Sequence, residues 1–233
     1  MDWNGKKVLV TGGGEGIGKA IAAAFRARGA EVGITGRRAD VLEEAARELG
    51  AQALPGDVSV EADVLRTMDA FLERHGRIDV LVNNAGFGHF APLVEMETER
   101  FEAVFATNVT GAMMMGREAA KHFVRQRSGT LVNISSTSGL KGGQGSTAYA
   151  ASKFALRGMT ECWREELRRH DVRVVLVNPS EVLTDFSKHA GYTQQASEKK
   201  LRPQEIADAL IGVLDVDVRG FVPEFAVFAT NPF

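Results

Sequence analysis

Cysteine is all but missing. Cys162 is the one thiol in 233 residues, which excludes an intrachain disulfide framework and a cysteine-based zinc site. Its helical surroundings lead us to expect a small buried side chain. The five histidines show no metal-ligand spacing, so no metal is expected. An excess of one charge is missing as well: a net charge of −2 and a pI of about 6.2 give no footprint for nucleic acid or an anionic membrane surface. Long apolar runs are absent, and the N-terminal MDWNGKKVLVTGG is broken by glycine before it could serve as a signal or a span. There is no solenoid-length repeat and no low-complexity tract. A cytoplasmic protein of one domain, residues 1–233, is the expectation, with 44% hydrophobic content sufficient for one sizeable core.

What is present is alternation. KVLVT reads as a buried parallel strand running into GGGEGIGKAIAAAFRARG, a glycine turn that opens an amphipathic helix. Gly12, Gly16 and Gly18 leave room for a tight turn and a close backbone approach, so a pyrophosphate could rest on the first amides of the helix. AEVGIT is a second strand. An acidic residue at its end would bond a ribose 2′-hydroxyl and repel a 2′-phosphate. Gly36, Arg37 and Arg38 stand there instead, and a guanidinium suits bidentate phosphate contact; solvated helix-entry arginines are the plainer alternative. Strand AQALPGDV carries Asp57, which could meet an adenine amino group or simply cap a turn. IDVLV ends in Asn83, Asn84, Ala85 and Gly86, small and polar enough for a cofactor floor, and Phe87, His89 and Phe90 follow. We read His89 as a solvated loop residue. A long helical pattern over residues 97–126 is interrupted near Asn108, whose amide competes for backbone bonds and predicts a kink. The run Met113, Met114, Met115 reads as flexible core or subunit packing. VRVVLVNP is a further strand, residues 183–200 form a polar stretch expected to be a substrate loop, residues 203–215 a last helix, and residues 220–229 a final strand that Pro223 assigns to an edge or a strand start.

The chemistry concentrates in LVNISSTSGLKGGQGSTAYAASK (residues 131–153). LVNIS ends a strand, so Ser135 and Ser136 sit at a carboxyl edge, where open α/β sheets place their ligands. Tyr149 and Lys153 lie four apart on one helical face. A free phenol holds its proton to about pH 10; a lysine charge at ~4 Å and an effective dielectric of ~20 is worth up to roughly 4 kcal/mol. Two or three units of depression would bring the phenol near the pH that proton transfer favours. Ser136 could bond the same substrate oxygen. Taken alone, a solvated Tyr/Lys pair and a strand-end serine remain the bland alternative.

Together these segments resemble the short-chain dehydrogenase/reductase family over essentially the whole chain. TGGGEGIG (residues 11–18) is similar to its TGxxxGxG motif, NNAG (residues 83–86) is identical to its central motif, and Tyr149 with Lys153 matches YxxxK. The resemblance implies an α/β fold, a single-domain, three-layer, doubly wound Rossmann-type parallel sheet of about seven strands. It also implies an NAD(P)-dependent enzyme interconverting a ketone and a secondary alcohol, with Tyr149 as proton donor and acceptor, Ser136 polarising the oxygen, Lys153 assisting the phenol, and Asn108 anchoring a water. Cofactor contacts are implied for Gly12, Gly14, Glu15, Gly16, Ile17, Gly18, Arg37, Arg38, Asp57, Val58, Asn84, Ala85, Gly86, Tyr149, Lys153, Pro179, Val182 and Thr184. NADP(H) is the expected cofactor, with NAD(H) as the alternative. Candidate substrates are small carbonyl or alcohol compounds, among them 3-oxoacyl thioesters and 3-hydroxy acids, and a homodimer or homotetramer is expected. Rival readings are a non-catalytic NADP-sensing protein, which has no need of the serine, tyrosine and lysine, and a dehalogenase or epimerase. The chain departs from the family at Ser180 and Glu181, where glycine commonly follows the proline, at Glu15, where phosphate-preferring members carry a base, and in its C-terminal RGFVPEFAVFATNPF.

Overall fold

Alternation within each apolar run sets the architecture of the computed structural model, which describes residues 2–186, 190, 197–217 and 219–231. In β1 (Lys7–Thr11) Val8 and Val10 point to one core and Leu9 to another; in β4 (Val80–Asn83) Val80 and Val82 oppose Leu81 in the same way. A strand apolar on both faces has to be covered on both. One layer consists of α1 (Gly16–Arg26), α2 (Ala39–Leu49) and α7 (Pro203–Leu214), which bring Phe25, Leu42 and Leu210 to the sheet. The other consists of α3 (Glu61–His75), α5 (Ala112–Gln126) and α6 (Thr147–Leu167), with Phe71, Phe123 and Leu167. Met114 and Met115 are buried in this second core.

The remaining strands are β2 (Glu31–Gly36), β3 (Gln52–Pro55), β5 (Gly129–Ile134), β6 (Val172–Pro179) and β7 (Glu224–Val227). Together they give one seven-stranded sheet in the order β3-β2-β1-β4-β5-β6-β7, parallel throughout. The chain winds outward from β1 in one direction and resumes at β4 on the other side, so the order reverses between β1 and β4. Ligands of such sheets sit at the carboxyl edge of that switch point. Two prolines fit the edges: Pro55 ends one edge strand and Pro223 directly precedes the other, where a missing N–H costs little pairing.

The long helix expected over residues 97–126 is split. α4 (Thr98–Phe105) passes into a π turn at Ala106–Gly111 before α5 begins. Such bulges insert a residue into the ladder and occur often at functional sites; here the turn carries Asn108. The buried thiol expected at residue 162 is a correction, because Cys162 is exposed. The inward face of α6 runs through Tyr149, Lys153, Leu156, Thr160 and Leu167, and at 100° per residue position 162 falls on the opposite side.

Candidate active site

The first corner of the site is built from missing side chains. Gly16 has a φ of +55°, and its Cβ would meet Thr184 at 3.4 Å. A Cβ on Gly18 would collide with the carbonyl oxygen of Gly12 and the amide of Asn84. The turn therefore presses against the segment after β4 while the first amides of α1 remain open to an anion. Thr11 stitches the same two strands: its Oγ1 accepts the backbone N–H of Asn84 (3.0 Å) and of Ala85 (2.9 Å), and the Asn84 side chain donates to the carbonyls of Thr11 and Gly12. The motif thus holds its own backbone along the switch point.

Along this edge runs a cleft of about 1160 Å³, larger than the ~300–1,000 Å³ usual for one small ligand, so an extended dinucleotide and a second molecule can share it. Of the residues singled out above, Gly12, Gly14, Glu15, Gly16, Ile17, Arg37, Arg38, Asp57, Val58, Asn84, Ala85, Gly86, Ser136, Tyr149, Lys153, Pro179, Val182 and Thr184 line it. Gly18 lies beneath the turn, and Asn108 lies outside the lining.

At the tyrosine end, Tyr149 and Lys153 emerge from the first turns of α6 and are both buried, as residues four apart on an inward face must be. The Lys153 ammonium donates to the carbonyl of Ile134 at 2.9 Å and stands 5.6 Å from the centre of the Tyr149 ring. Burial pushes its pKa down to about 8, so it stays charged at neutral pH but only narrowly. Ser136 accepts the backbone N–H of Ser138 at 3.1 Å, which leaves the hydroxyl proton for donation into the cleft.

The side chain of Asn108 is fully engaged by protein partners. Its oxygen accepts the N–H of Phe87 at 3.0 Å, and its nitrogen donates to the carbonyl of Phe87 (2.9 Å) and to Ser152 Oγ (3.0 Å), which in turn donates to the carbonyl of Tyr149 at 2.7 Å. The amide is consumed as a clamp between the loop after β4 and α6.

The arginine end is wetter. Arg38 forms an ion pair with Glu15 at 2.7 Å, and Arg37, 65% exposed, approaches Asp57 at 4.0 Å. Asp57 also accepts from both the backbone and the hydroxyl of Ser59 (2.9 and 2.7 Å). Of the two readings of this residue, the turn cap is realised by one oxygen, and the other oxygen faces Arg37.

The stretch at residues 183–200 is described at its ends, and residues 187–189 and 191–196 of the expected substrate loop lie outside the described residues. Val182 bridges Leu201, Leu183 donates to the carbonyl of Leu201 at 2.8 Å, and Lys200 pairs with Glu181 at 2.8 Å. Residues that motif reading passed over are Thr11 as a strand tie, Ser152 as the link from Asn108 to α6, and Phe186, which meets the Tyr149 ring. His89 is half-buried and is not among the lining residues.

Comparison with known proteins gives a consistent result. The family profile described as short chain dehydrogenase matches residues 6–195. A 3-oxoacyl-[acyl-carrier-protein] reductase of Thermotoga maritima is 33% identical over 227 residues, covering 91% of each chain. Among solved structures, a 3-ketoacyl-(acyl-carrier-protein) reductase from Brucella melitensis complexed with NADH superposes with a TM-score of 0.91 at 28% identity, covering 97% of this chain and 98% of that one. An alcohol dehydrogenase from Thermococcus sibiricus complexed with 5-hydroxy-NADP gives 0.87 at 27%, covering 97% of each.

Proposed function

The chain belongs to the short-chain dehydrogenase family and is an NAD(P)-dependent oxidoreductase; from that premise we propose that it interconverts a ketone and a secondary alcohol, with Tyr149 exchanging the proton. The observation that carries this reading is the burial of Tyr149 beside the Lys153 ammonium at the wall of a cleft that begins at an open glycine turn. The fit to a dinucleotide rests on that turn, where a side chain on Gly18 would fill the space against Gly12 and Asn84. Bound there, a nicotinamide dinucleotide supplies or accepts the hydride with its electron pair at the carbinol carbon.

The protein's own residues do the rest. The amides at the start of α1 take the pyrophosphate charge. On reduction the Tyr149 hydroxyl gives its proton to the carbonyl oxygen as the C=O π bond breaks, and Ser136 donates a second hydrogen bond to the same oxygen. The Lys153 ammonium favours the phenolate left behind. Oxidation runs the same groups in reverse.

Cofactor choice falls to the arginine end. With no carboxylate at the end of β2 and Arg37 exposed beside it, NADP(H) is preferred; because Arg38 is already held by Glu15, the preference is modest and NAD(H) remains usable. The relatives' names put a 3-oxoacyl thioester on the panel of compounds to be tried. The test is to follow loss of reduced-cofactor absorbance with NADPH and NADH over a panel of ketones, for the wild type and for Tyr149→Phe. Turnover that survives in the variant would refute the proton-transfer role, and cofactor binding without turnover of any ketone would favour a sensor instead.

A further inference from the structure

Three aromatic rings converge where the substrate has to lie. The Tyr149 ring is met by Phe90 at 5.6 Å and by Phe186 at 5.3 Å between centroids, both tilted. The two phenylalanines come from loops far apart in sequence and close over Gly88, where a Cβ would stand 2.7 Å from Phe90 and 2.9 Å from Phe186. Both line the cleft, and Phe87 lines it beside them.

Charge sharpens the picture. The basic side chains among the described lining residues are Arg37, Arg38 and Lys153. The two arginines belong to the other end, beside Asp57 and Glu15, and Lys153 is buried against the carbonyl of Ile134. The segment that crosses from the glycine turn to Tyr149 contributes carboxylates instead: Glu181, paired with Lys200, and Asp185. A carboxylate brought here would lose hydration beside Glu181 and Asp185, and the cation within the lining at this end, Lys153, is already engaged by the carbonyl of Ile134 and the Tyr149 ring. An apolar ring would exchange water for the faces and edges of Phe90 and Phe186.

Building on the proposed ketone/alcohol chemistry, we infer that the substrate of this site is an uncharged ketone, or its alcohol, bearing an apolar ring next to the reacting carbon, with Phe90 and Phe186 as the specificity-determining residues. A free 3-hydroxy acid and a short 3-oxoacyl thioester are disfavoured, the first by charge and the second by lacking a ring to fill the aromatic walls.

The experiment compares, on the full chain with saturating NADPH, acetophenone, 2-butanone, acetoacetate and acetoacetyl coenzyme A. The expected result is a kcat/KM for the phenyl ketone on the order of tenfold or more above each of the others. Equal or better use of acetoacetate or the thioester overturns the inference and leaves the proposed reaction standing; cofactor binding with no turnover of any of the four removes both. This comparison needs no variant. As a second arm, Phe90→Leu and Phe186→Leu should each lower the phenyl-ketone to butanone ratio of kcat/KM by about fivefold. A ratio unmoved in both variants overturns the assignment to these two side chains.

Discussion

The two ends of the cleft solve opposite problems with opposite physics. At the arginine end the charged groups are exposed and each already has a partner of opposite sign, Arg38 with Glu15 and Arg37 with Asp57. Water and salt screen such pairs, and a ligand charge added there exchanges one partner for another, so each group carries little. At the tyrosine end Lys153 is 5% exposed and Tyr149 9%, the rings of Phe90 and Phe186 pack on that of Tyr149, and the Asn108 clamp ties the neighbouring backbone. An equal charge acts there with far less screening. The proposed function therefore predicts shallow binding selectivity at one end and chemistry steeply dependent on single groups at the other.

That contrast can be broken in steps, beginning with the largest effect. On the proposed chemistry Tyr149→Phe removes the transferable proton, and kcat should fall by about 10²–10⁴-fold while the dissociation constant for NADPH, read by fluorescence titration, stays nearly unchanged. Lys153→Met comes next. Below about pH 8 the wild-type lysine carries its proton and supports the phenolate; above it the support fades. The variant should thus lose the advantage near neutrality and recover part of the oxidation rate only as pH rises, which a kcat profile from pH 6 to 10 would display.

The same lysine makes a stability prediction with a definite sign. Burial lowers its pKa from 10.5 to about 8, so between these values the unfolded chain binds more protons than the folded one, and this residue's contribution to stability rises with pH across that window. Urea unfolding at pH 8 and pH 10 should show the rise in wild type and a smaller rise in Lys153→Met. A rise of equal size in both proteins would mean that the amine is not desolvated.

Asn108→Ala strips partners from the N–H and the carbonyl of Phe87. Both bonds are part-buried, so the loss should fall toward the lower end of the about 1–3 kcal/mol that a buried unpaired group costs, to be seen as a lower denaturation midpoint. The smallest effects belong to the exposed end. Glu15→Gln should release Arg38 and raise the NADPH to NADH ratio of kcat/KM by about two- to fivefold, and Arg37→Ala should lower it by a similar factor. Changes of a hundredfold there would erase the distinction between the ends.

Much of the site could be read in one dimension because its parts are local. The glycines at 12, 16 and 18, the pair at 149 and 153, and the strand-end placement of Ser136 each follow from spacing within one or two elements. The kink at Asn108 was legible from propensity alone; its hydrogen-bond partners were not, since Phe87 and Ser152 lie 21 and 44 positions away. Cys162 was misread by treating helical context as burial, when its angular position relative to Tyr149 already placed it on the outer face.

The sequence by itself determined the alternation of strands and helices, the apolar character of both strand faces, and the residue types at the carboxyl edges, because periodicity and chain stiffness act over a few residues. Tertiary structure alone decided what met what: Glu15 against Arg38, one oxygen of Asp57 for a turn and the other toward Arg37, the Asn108 amide spent on Phe87, and two phenylalanines closing over Gly88 onto Tyr149. Those encounters depend on how the layers pack and where the loops return, quantities that no local pattern encodes.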